Sequence, residues 1–408
     1  MGHPIPPSAI RHPPSTIHHP TSDIHVMRIV HITPHLPPDQ AANALLPFQL
    51  GEWARARGDE VAFVTHPPRA GTPSAGGGPI VTIPRQPTGW LQRALRLGSI
   101  ANTWRIRRDA GPVIDRADVV HVHGNGLLAE TAALLAARRG KPVVLTLYGT
   151  EIWHYRARRW GPDLFTRAYR AAHAVTFYSD GLLQRATELG LSRRDAQVIY
   201  PSVARTFAFH DDVGRRGARA ALGLREQHVL LNVKRLHPLA GQRHLIEALA
   251  TVVRTHPDVR LIVCGTGPLL AELQGVARSE GVDRHVTFAG LVDNAMVARY
   301  CAAADLFVLP SLLEALPTVA VEALASGTPV LSSDNPGGVE LHARFGADVA
   351  VVPREDAGAL AGAIADFLRH KRRTSPETKH LLERDFRPEA VASKYWDVYG
   401  RVGAGARA

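Results

Sequence analysis

The chain has 408 residues, a hydrophobic fraction of 45% and a formal net charge of +11, which favours two domains with sizeable cores. Its two cysteines, Cys264 and Cys301, are too few for a disulfide framework and stand in no metal-ligand pattern, so a reducing, cytoplasmic setting is expected. The basic charge suits nucleic acid, an anionic membrane surface or an anionic small substrate, but no nucleic-acid motif is present and that partner is not expected.

The first 26 residues are rich in proline and histidine and have no apolar core of their own. They are expected to form a disordered tail and lack the apolar region of a signal peptide. Met27 directly precedes the first strand-like run and is an alternative start of the natural chain. No apolar run in the sequence is long enough to cross a bilayer.

Short apolar runs alternate with helical patterns along the rest of the chain, which is typical of parallel sheets covered on both faces. The alternation covers residues 27–206, where the strand-like runs are RIVHIT, EVAFVTH, VVHVHGNG, PVVLTLYGTE, AVTFYS and QVIYPS. It restarts after a polar linker near residue 207 and continues to residue 384. We therefore predict two doubly wound, Rossmann-like α/β domains with a ligand cleft between the carboxyl ends of their strands. Residues 385–408 predict a helix that crosses back to the first domain.

Two carboxylates, Glu314 and Glu322, stand in the stretch EALPTVAVEALASGTPV, directly after a strand-like apolar run. Pro317 favours a helix start, which leaves Glu314 in the loop at the mouth of the cleft and Glu322 more than one turn inside the helix. The free N–H groups of the helix start form an anion site between the two carboxylates. This arrangement fits a ligand with hydroxyl groups at both ends and phosphates in the middle, such as a nucleotide sugar.

Residues 229–352 resemble the donor domain of glycosyltransferase family 4, a family of retaining enzymes with the GT-B fold. Glu314 and Glu322 match the family's pair of glutamates, and LFVLPSLLEALP, EALASGTPVLSSD and GGVEL stand around them in the family's order. The resemblance implies that Glu314 contacts the hydroxyl groups of the donor sugar and that Glu322 contacts the ribose diol. It also implies that a short backbone segment contacts the sugar and phosphates. That segment is Ala315, Leu316, Pro317 and Thr318.

The run VKRLHPLAGQRHLIEAL resembles the family segment in which an arginine and a following lysine grip the diphosphate. Arg235 matches the arginine, but Ala240 stands where the lysine is expected. Lys234 and Arg243 are the two cations that could supply the missing charge. Such cations would stabilise the leaving diphosphate.

Two further segments of this half match the family's donor site. The turn GTGPL, with Gly265 and Gly267, resembles a family Gly-rich turn, or is simply a tight turn between a strand and a helix. The run VTFAGLV, with Gly290 and Val292, matches the segment whose backbone contacts the base. Backbone contacts leave no side-chain signature, so the sequence does not identify the base of the nucleotide. A UDP-sugar is the first expectation.

The first domain resembles the family's acceptor domain through VVHVHGNGLLAE, in which a histidine lies near the reaction centre. By register this is His123. His121 points to the same strand face and is an alternative, and a hydrogen-bonded core histidine is the structural interpretation of either. In LTLYGTEIW, Tyr148, Gly149 and Glu151 are expected to be exposed towards the cleft on the acceptor side, and relatives often have a histidine in place of the tyrosine.

Ala41 and Ala42 occupy the place of a Gly-Gly loop beside the phosphates, and their Cβ atoms hinder close backbone approach. Residues 90–111 contain two tryptophans and several arginines. They could form a basic amphipathic face for an anionic membrane or an ordinary helix whose arginines extend along its surface.

The resemblance implies a retaining glycosyltransferase that moves a sugar from a nucleotide-diphosphate donor to a hydroxyl group of a glycan, lipid or secondary metabolite. No metal site is expected, because no acidic cluster is evident near the cleft. One alternative is a relative of low or no activity that acts as a binding partner, which Ala240 and the Ala-Ala loop favour. Another is a nucleotide-sugar epimerase, for which His121, His123 and Glu151 are too few acid–base groups.

Overall fold

The structure is a computed structural model that describes residues 26–39, 42–68, 72–74, 77–85, 97–156 and 163–405. The expected disordered tail therefore lies outside the described residues, except for its last residue. Within the described ranges, the strands form two parallel sheets of seven and six strands. Also within these ranges, no helix combines the length and apolar character that a bilayer crossing requires.

The first sheet has the strand order β3-β2-β1-β4-β5-β6-β7. Its strands are β1 (Arg28–Ile32), β2 (Glu60–Thr65), β3 (Ile80–Thr82), β4 (Val119–His123), β5 (Val143–Leu147), β6 (Ala174–Phe177) and β7 (Ala196–Val198). The helices of this half are α1 (Ala42–Ala56), α2 (Leu97–Arg116), α3 (Leu127–Arg138), α4 (Thr150–Trp153), α5 (Leu164–Ala171) and α6 (Asp180–Glu188). The strand β3 was not predicted, because three residues at a sheet edge carry little periodic signal.

The second sheet has the order β10-β9-β8-β11-β12-β13. Its strands are β8 (His228–Val233), β9 (Val259–Cys264), β10 (Val286–Gly290), β11 (Leu306–Leu309), β12 (Val330–Ser333) and β13 (Val349–Val352). The remaining helices are α7 (Asp212–Ala221), α8 (Gln242–Thr255), α9 (Leu270–Ser279), α10 (Asn294–Ala303), α11 (Thr318–Ala325), α12 (Pro336–Phe345), α13 (Ala357–His370), α14 (Pro376–Asp385) and α15 (Pro388–Gly405). In each sheet the strand order reverses beside its first strand, and ligands of open α/β sheets bind at the carboxyl ends of the strands at such a point.

The apolar runs that indicated strands are buried from end to end in the middle of each sheet, as in β4 and β11. This is the burial expected of parallel strands covered by helices on both faces. The last helix, α15, adds Val391, Tyr395, Val398 and Tyr399 to the core of the first sheet, where all four are fully buried. Their spacing of three and four residues places them on one side of the helix. The chain thus returns from the second sheet to the first.

The helix α7 follows the linker and is tied to the second sheet by charge. Arg215 and Arg219, one turn apart, both pair with the buried carboxylate of Asp305. Asp305 also accepts a hydrogen bond of 2.8 Å from the backbone N–H of Val229 in β8. A buried carboxylate needs such partners, so these contacts join the linker helix to the two central strands of the second sheet.

Candidate active site

The loops at the carboxyl ends of the two sheets meet at Gly149, which follows β5, and Ala315, which follows β11. A Cβ atom built on Gly149 would lie 3.1 Å from the Cβ of Ala315. The loop from the first sheet that carries Tyr148 and the loop from the second sheet that carries Glu314 are therefore in contact. This contact brings together the two groups of residues that the sequence assigned to acceptor and donor.

Glu314 lies between β11 and α11, and its carboxylate pairs with the ammonium group of Lys234 from the loop after β8. The Glu314 side chain is only 11% exposed and that of Lys234 is 32% exposed. The carbonyl oxygen of Glu314 accepts a hydrogen bond of 3.0 Å from the N–H of Gly337. A Cβ on Gly337 would lie 2.9 Å from the Cβ of Glu314, so the first glycine of GGVEL leaves room for this carboxylate.

Glu322 is the fifth residue of α11, and the helix begins at Thr318, one residue later than predicted, with Pro317 in the capping position. Pro317 offers no side-chain cap, which leaves N–H groups of the first turn available to a ligand. Burial raises the pKa of Glu322 to about 7. Among the residues that the structure describes, no group forms a hydrogen bond with its carboxylate. Glu314 and Glu322 thus stand on either side of an uncapped helix start.

The segment that carries Lys234 and Arg235 is held by the glycine-rich turn after β9. A Cβ on Gly265 would lie 2.1 Å from the carbonyl oxygen of Lys234, and one on Gly267 would lie 2.1 Å from that of Leu236. Real Cβ atoms do not approach backbone so closely, so both positions require glycine. Close packing alone accounts for these two glycines. Arg235 is exposed, and no partner for its guanidinium lies among the described residues.

Gln242, the first residue of α8, holds the backbone of the segment that carries Lys234 and Arg235. Its buried side-chain amide donates to the carbonyl oxygen of Arg235 at 3.2 Å and approaches the carbonyl oxygen of Lys234 and Oδ1 of Asn232 at 3.5 Å each. Gln242 was not among the residues predicted from the sequence. The one signal available was a polar residue on the otherwise apolar, buried side of a helix start.

Neither Ala240 nor Arg243 offers an unpaired positive charge to a ligand. Ala240 ends a short 3₁₀ turn and is buried. Arg243 lies on α8, where its guanidinium donates to Glu247 at 2.9 Å and lies 3.7 Å from Glu272. Of the two cations that could replace the missing lysine, Lys234 is the one that contacts Glu314.

The predicted base-contacting segment lies at the end of the neighbouring edge strand, β10. Gly290 has a φ of 69°, a backbone conformation that favours glycine, and its carbonyl oxygen accepts a hydrogen bond of 2.7 Å from Gly265. Val292 is half-buried against the core of the second sheet. The donor residues predicted from the sequence therefore come together along the carboxyl ends of β8 to β11.

The histidines of the first sheet form a buried cluster. His123, the last residue of β4, shares a hydrogen bond of 2.7 Å with the hydroxyl of Tyr148 and one of 2.9 Å with His31 of β1. His121 is bonded through one ring nitrogen to Tyr399 of α15 at 2.6 Å and through the other to Thr146 at 2.7 Å. His121 is fully buried with both nitrogens engaged, and this geometry favours a structural role.

The histidine cluster also has the residue types of a metal site, since possible ligand atoms of His31, His121 and His123 lie within 4.8 Å of one another. Burial lowers the pKa of His31 to about 3 and holds the pKa of the other two well below their ordinary value. Side-chain hydrogen bonds engage every ring nitrogen of the three except Nε2 of His31, for which the described residues offer no partner. The cluster is therefore a set of neutral, hydrogen-bonded rings, and His31 is a member that the sequence analysis did not identify.

The acceptor-side loop differs from the expectation of three exposed residues. Tyr148 is half-buried, Gly149 is buried and Glu151 is 6% exposed. The carboxylate of Glu151 turns inwards and accepts a hydrogen bond of 2.8 Å from the N–H of Gly149, because the free N–H groups before α4 need an acceptor. Burial raises the pKa of Glu151. The prediction that Gly149 and Glu151 are exposed towards the cleft is wrong, whereas the half-buried side chain of Tyr148 remains partly accessible.

The two remaining predicted segments are only partly described. Ala41 lies outside the described residues, and Ala42 opens α1. The basic stretch is described from Leu97 onwards as α2, whose outer face exposes Ile100 (67%) and Trp104 (62%). The guanidinium of Arg108 lies 5.1 Å from the centre of the Trp104 ring.

Comparison with known proteins places the chain in a family. The family model described as Glycosyltransferase Family 4 matches residues 48–206, and the model described as Glycosyl transferases group 1 matches residues 215–381, so together they take in most of the chain. Glycogen synthase of Mycobacterium tuberculosis is 29% identical over 299 residues, which is 72% of this chain and 70% of the relative. The GDP-mannose-dependent alpha-(1-6)-phosphatidylinositol monomannoside mannosyltransferase of Mycolicibacterium smegmatis is 33% identical over 264 residues, 61% of this chain and 66% of the relative.

Solved structures show the same fold. HepE of Anabaena, crystallised in complex with UDP and glucose, has a TM-score of 0.67 at 19% identity, and the likeness covers 92% of this chain and 100% of HepE. Its complex with UDP has a TM-score of 0.71 at 18% identity over the same shares of the two chains. With two facing parallel sheets, and with both halves matched by glycosyltransferase models, the chain belongs to glycosyltransferase family 4 and is a glycosyltransferase of the GT-B fold.

Proposed function

We propose that this glycosyltransferase takes a sugar from a nucleotide-diphosphate donor, with a UDP-sugar as the first expectation, and transfers it to a hydroxyl group with retention at the anomeric carbon. The observation that carries the proposal is the position of Glu314 and Glu322 on either side of the uncapped start of α11. The printed names of relatives support it, since one depends on GDP-mannose and one neighbour was solved with UDP and glucose.

In this proposal the donor lies along the carboxyl ends of the second sheet. Glu322 accepts hydrogen bonds from the ribose hydroxyls, and Glu314 accepts them from the hydroxyls of the sugar. The N–H groups at the start of α11 and the exposed guanidinium of Arg235 bind the diphosphate. The base contacts the backbone near Gly290.

The transfer proceeds on one face of the sugar. The acceptor oxygen bonds to the anomeric carbon as the bond to the diphosphate oxygen breaks, and a phosphate oxygen of the leaving group takes the acceptor's proton. The protein supplies position and charge stabilisation. His123 is neutral and fully buried, so we assign it the task of holding the Tyr148 hydroxyl beside the reacting groups. The acceptor is a hydroxyl of a glycan, lipid or secondary metabolite.

No divalent metal is expected to take part, because the donor site offers cations and helix N–H groups for the diphosphate. Transfer in excess EDTA checks this expectation. An activity that is lost in EDTA and restored by Mg²⁺ or Mn²⁺ would contradict it.

Calorimetric titration of the full chain with UDP, GDP, ADP and dTDP tests the donor site. We expect one nucleotide to bind tightly and Glu322→Ala to weaken it about 10-fold or more, whereas the control Glu377→Ala, an exposed glutamate of α14, leaves it unchanged. Binding of none of the four would overturn the donor assignment and favour a partner protein. Conversion of the matching nucleotide sugar into its epimer, without transfer, would favour the epimerase.

Peripheral membrane contact is part of the same proposal. The exposed face of α2 presents Ile100 and Trp104 next to arginines, in a chain with a net charge of +11, and this combination suits an anionic lipid surface. Co-sedimentation with vesicles of phosphatidylglycerol and phosphatidylcholine is expected to fall several-fold in Trp104→Ser. Equal sedimentation of wild type with pure phosphatidylcholine vesicles, or no sedimentation, would remove the membrane from the proposal.

A further inference from the structure

We infer that Lys234 is the cation that binds the donor diphosphate in place of a lysine at position 240, and that it exchanges its present partner, Glu314, for a phosphate when the donor arrives. The inference rests on the proposed nucleotide-sugar donor. It chooses between Lys234 and Arg243, the two cations that the sequence left open. It also adds an order of events for donor binding.

The position of Lys234 is the first support. It directly follows the central strand β8 at the carboxyl edge of the second sheet, just before Arg235, and its ammonium group reaches the carboxylate of Glu314. Glu314 in turn precedes the uncapped start of α11. A positive charge, an exposed arginine and a helix start therefore lie at one edge, where each favours an anion.

The surroundings of the other candidate are the second support. Arg243 donates to Glu247 from the surface of α8 and lies near Glu272, so its charge is already neutralised. Position 240 has no charge at all and its side chain is buried. Of the three cations considered, Arg243 is the one whose partners lie on α8 and α9, outside the proposed donor site, whereas Lys234 contacts Glu314 and Arg235 is exposed beside it.

The backbone below Lys234 is held firmly, whereas its side chain is free to move. Gly265 and Gly267 pack against the carbonyl groups of Lys234 and Leu236, and Gln242 donates to the carbonyl of Arg235. The lysine side chain is about one-third exposed and has four rotatable methylene groups, so its point charge can change partner without backbone movement.

The proposed exchange explains why Lys234 and Glu314 form an ion pair in the empty enzyme. The carboxylate of Glu314 is mostly buried, and leaving it unpaired in the empty enzyme would be unfavourable. Lys234 neutralises it until a phosphate takes the ammonium group, and the released carboxylate then accepts hydrogen bonds from the sugar. A ligand without phosphates cannot draw Lys234 away, so the lysine should matter for a nucleoside diphosphate and not for its nucleoside.

The test is calorimetry with the diphosphate that binds best among UDP, GDP, ADP and dTDP, and with its parent nucleoside. We expect Lys234→Met to weaken the diphosphate about 10- to 100-fold and the nucleoside by less than about 3-fold. The matched control Arg243→Met, which removes the other candidate cation, should leave both unchanged. Lys234→Met combined with Glu314→Gln removes both charges of the pair, keeps the fold free of an unpaired carboxylate, and should show the same loss for the diphosphate.

Three results would overturn the inference. They are a Lys234→Met enzyme that binds the diphosphate as tightly as wild type, a nucleoside that is weakened as much as the diphosphate, and an Arg243→Met enzyme that shows the loss instead. Failure of the proposed function is distinct from all three, because the wild-type enzyme would then bind none of the four diphosphates.

Discussion

The carboxylate of Glu340, in α12 of the second half, accepts hydrogen bonds from the backbone N–H groups of Asp180 and Gly181, at 2.8 and 2.9 Å, at the start of α6 in the first half. The contact thus joins the two halves of the enzyme beside the cleft. A helix start favours a negative charge. Burial nevertheless raises the pKa of Glu340, and the two N–H groups act against that rise.

Replacing Glu340 with Gln should loosen this contact, because the neutral amide interacts more weakly with the helix start, by about 1 kcal/mol. We expect the amides of Asp180 and Gly181 to exchange hydrogen several-fold faster, as followed by mass spectrometry. The control is Glu188→Gln at the other end of α6, where the side chain pairs with Arg185 at the surface. Equal exchange in Glu340→Gln and wild type would show that the contact does not hold the halves together.

Replacing Gly149 with Ala should hold the two sheets apart, because the new Cβ would meet the Cβ of Ala315 at 3.1 Å and the φ of 155° suits glycine. We expect sugar transfer to fall about 10-fold or more, since small displacements at a reaction centre are costly. Nucleotide affinity should change less than the transfer rate, because the proposed ribose and base contacts, at Glu322 and Gly290, lie in other segments than the loop at Ala315. The measurements are the rate of transfer and calorimetry.

Two variants separate the clash from backbone strain. Adding Ala315→Gly removes the atom that the new methyl group meets and should restore part of the transfer rate. Gly126→Ala introduces a side chain at a φ of 106°, where no atom of the described residues lies within 4 Å of the new Cβ, so it adds strain without a clash. A Gly149→Ala enzyme that Ala315→Gly does not improve would contradict this explanation.

The raised pKa of Glu322, about 7 in the folded protein, gives a pH dependence with a definite sign. The unfolded value is about 4.3, so ionisation of Glu322 costs the folded state free energy that grows as the pH rises from about 4 to 7 and is constant above. Glu322→Gln should therefore raise the melting temperature at pH 8, by roughly 3–6 °C for about 1–2 kcal/mol. The gain should be smaller at pH 5.5.

Nucleotide affinity should rise with pH, whereas the stability of the folded protein falls as Glu322 ionises. The ionised carboxylate is the better acceptor for the ribose hydroxyls, so wild-type affinity should increase between pH 6 and 8. That increase should be lost in Glu322→Gln. A melting-temperature gain of the same size at both pH values, or the same pH profile of affinity in both proteins, would refute the assignment.

Replacing Tyr399 with Phe should destabilise the protein, because it leaves a buried ring nitrogen of His121 without its partner at 2.6 Å. We expect a loss of about 1–3 kcal/mol in the free energy of unfolding, measured by chemical denaturation, with nucleotide affinity unchanged. Combining it with His121→Phe should cost less than the sum of the two single changes, since the two groups interact. Additive losses would mean that the hydrogen bond contributes little.

Local patterns in the sequence were sufficient to predict the two parallel sheets and the loop and helix that carry the donor site. Continuous apolar runs marked the central strands, Pro317 marked the start of α11 to within one residue, and the spacing of Glu314 and Glu322 put one in the loop and one in the helix. These features depend on residues that are close in the chain. The short edge strand β3 was missed because three residues show no period.

The contacts that give the site its chemistry were decided by the tertiary structure. Lys234 meets Glu314 across two strands, His31 meets His123 over a separation of 92 residues, and Glu151 turns inwards to a backbone N–H group instead of facing the cleft. Each is set by which polar groups become buried together and must then find partners. The sequence by itself therefore determined the strands, the helix start and the residue types at the cleft, whereas burial in the folded chain selected the partners of side chains such as Lys234 and His31 that meet across the sheets.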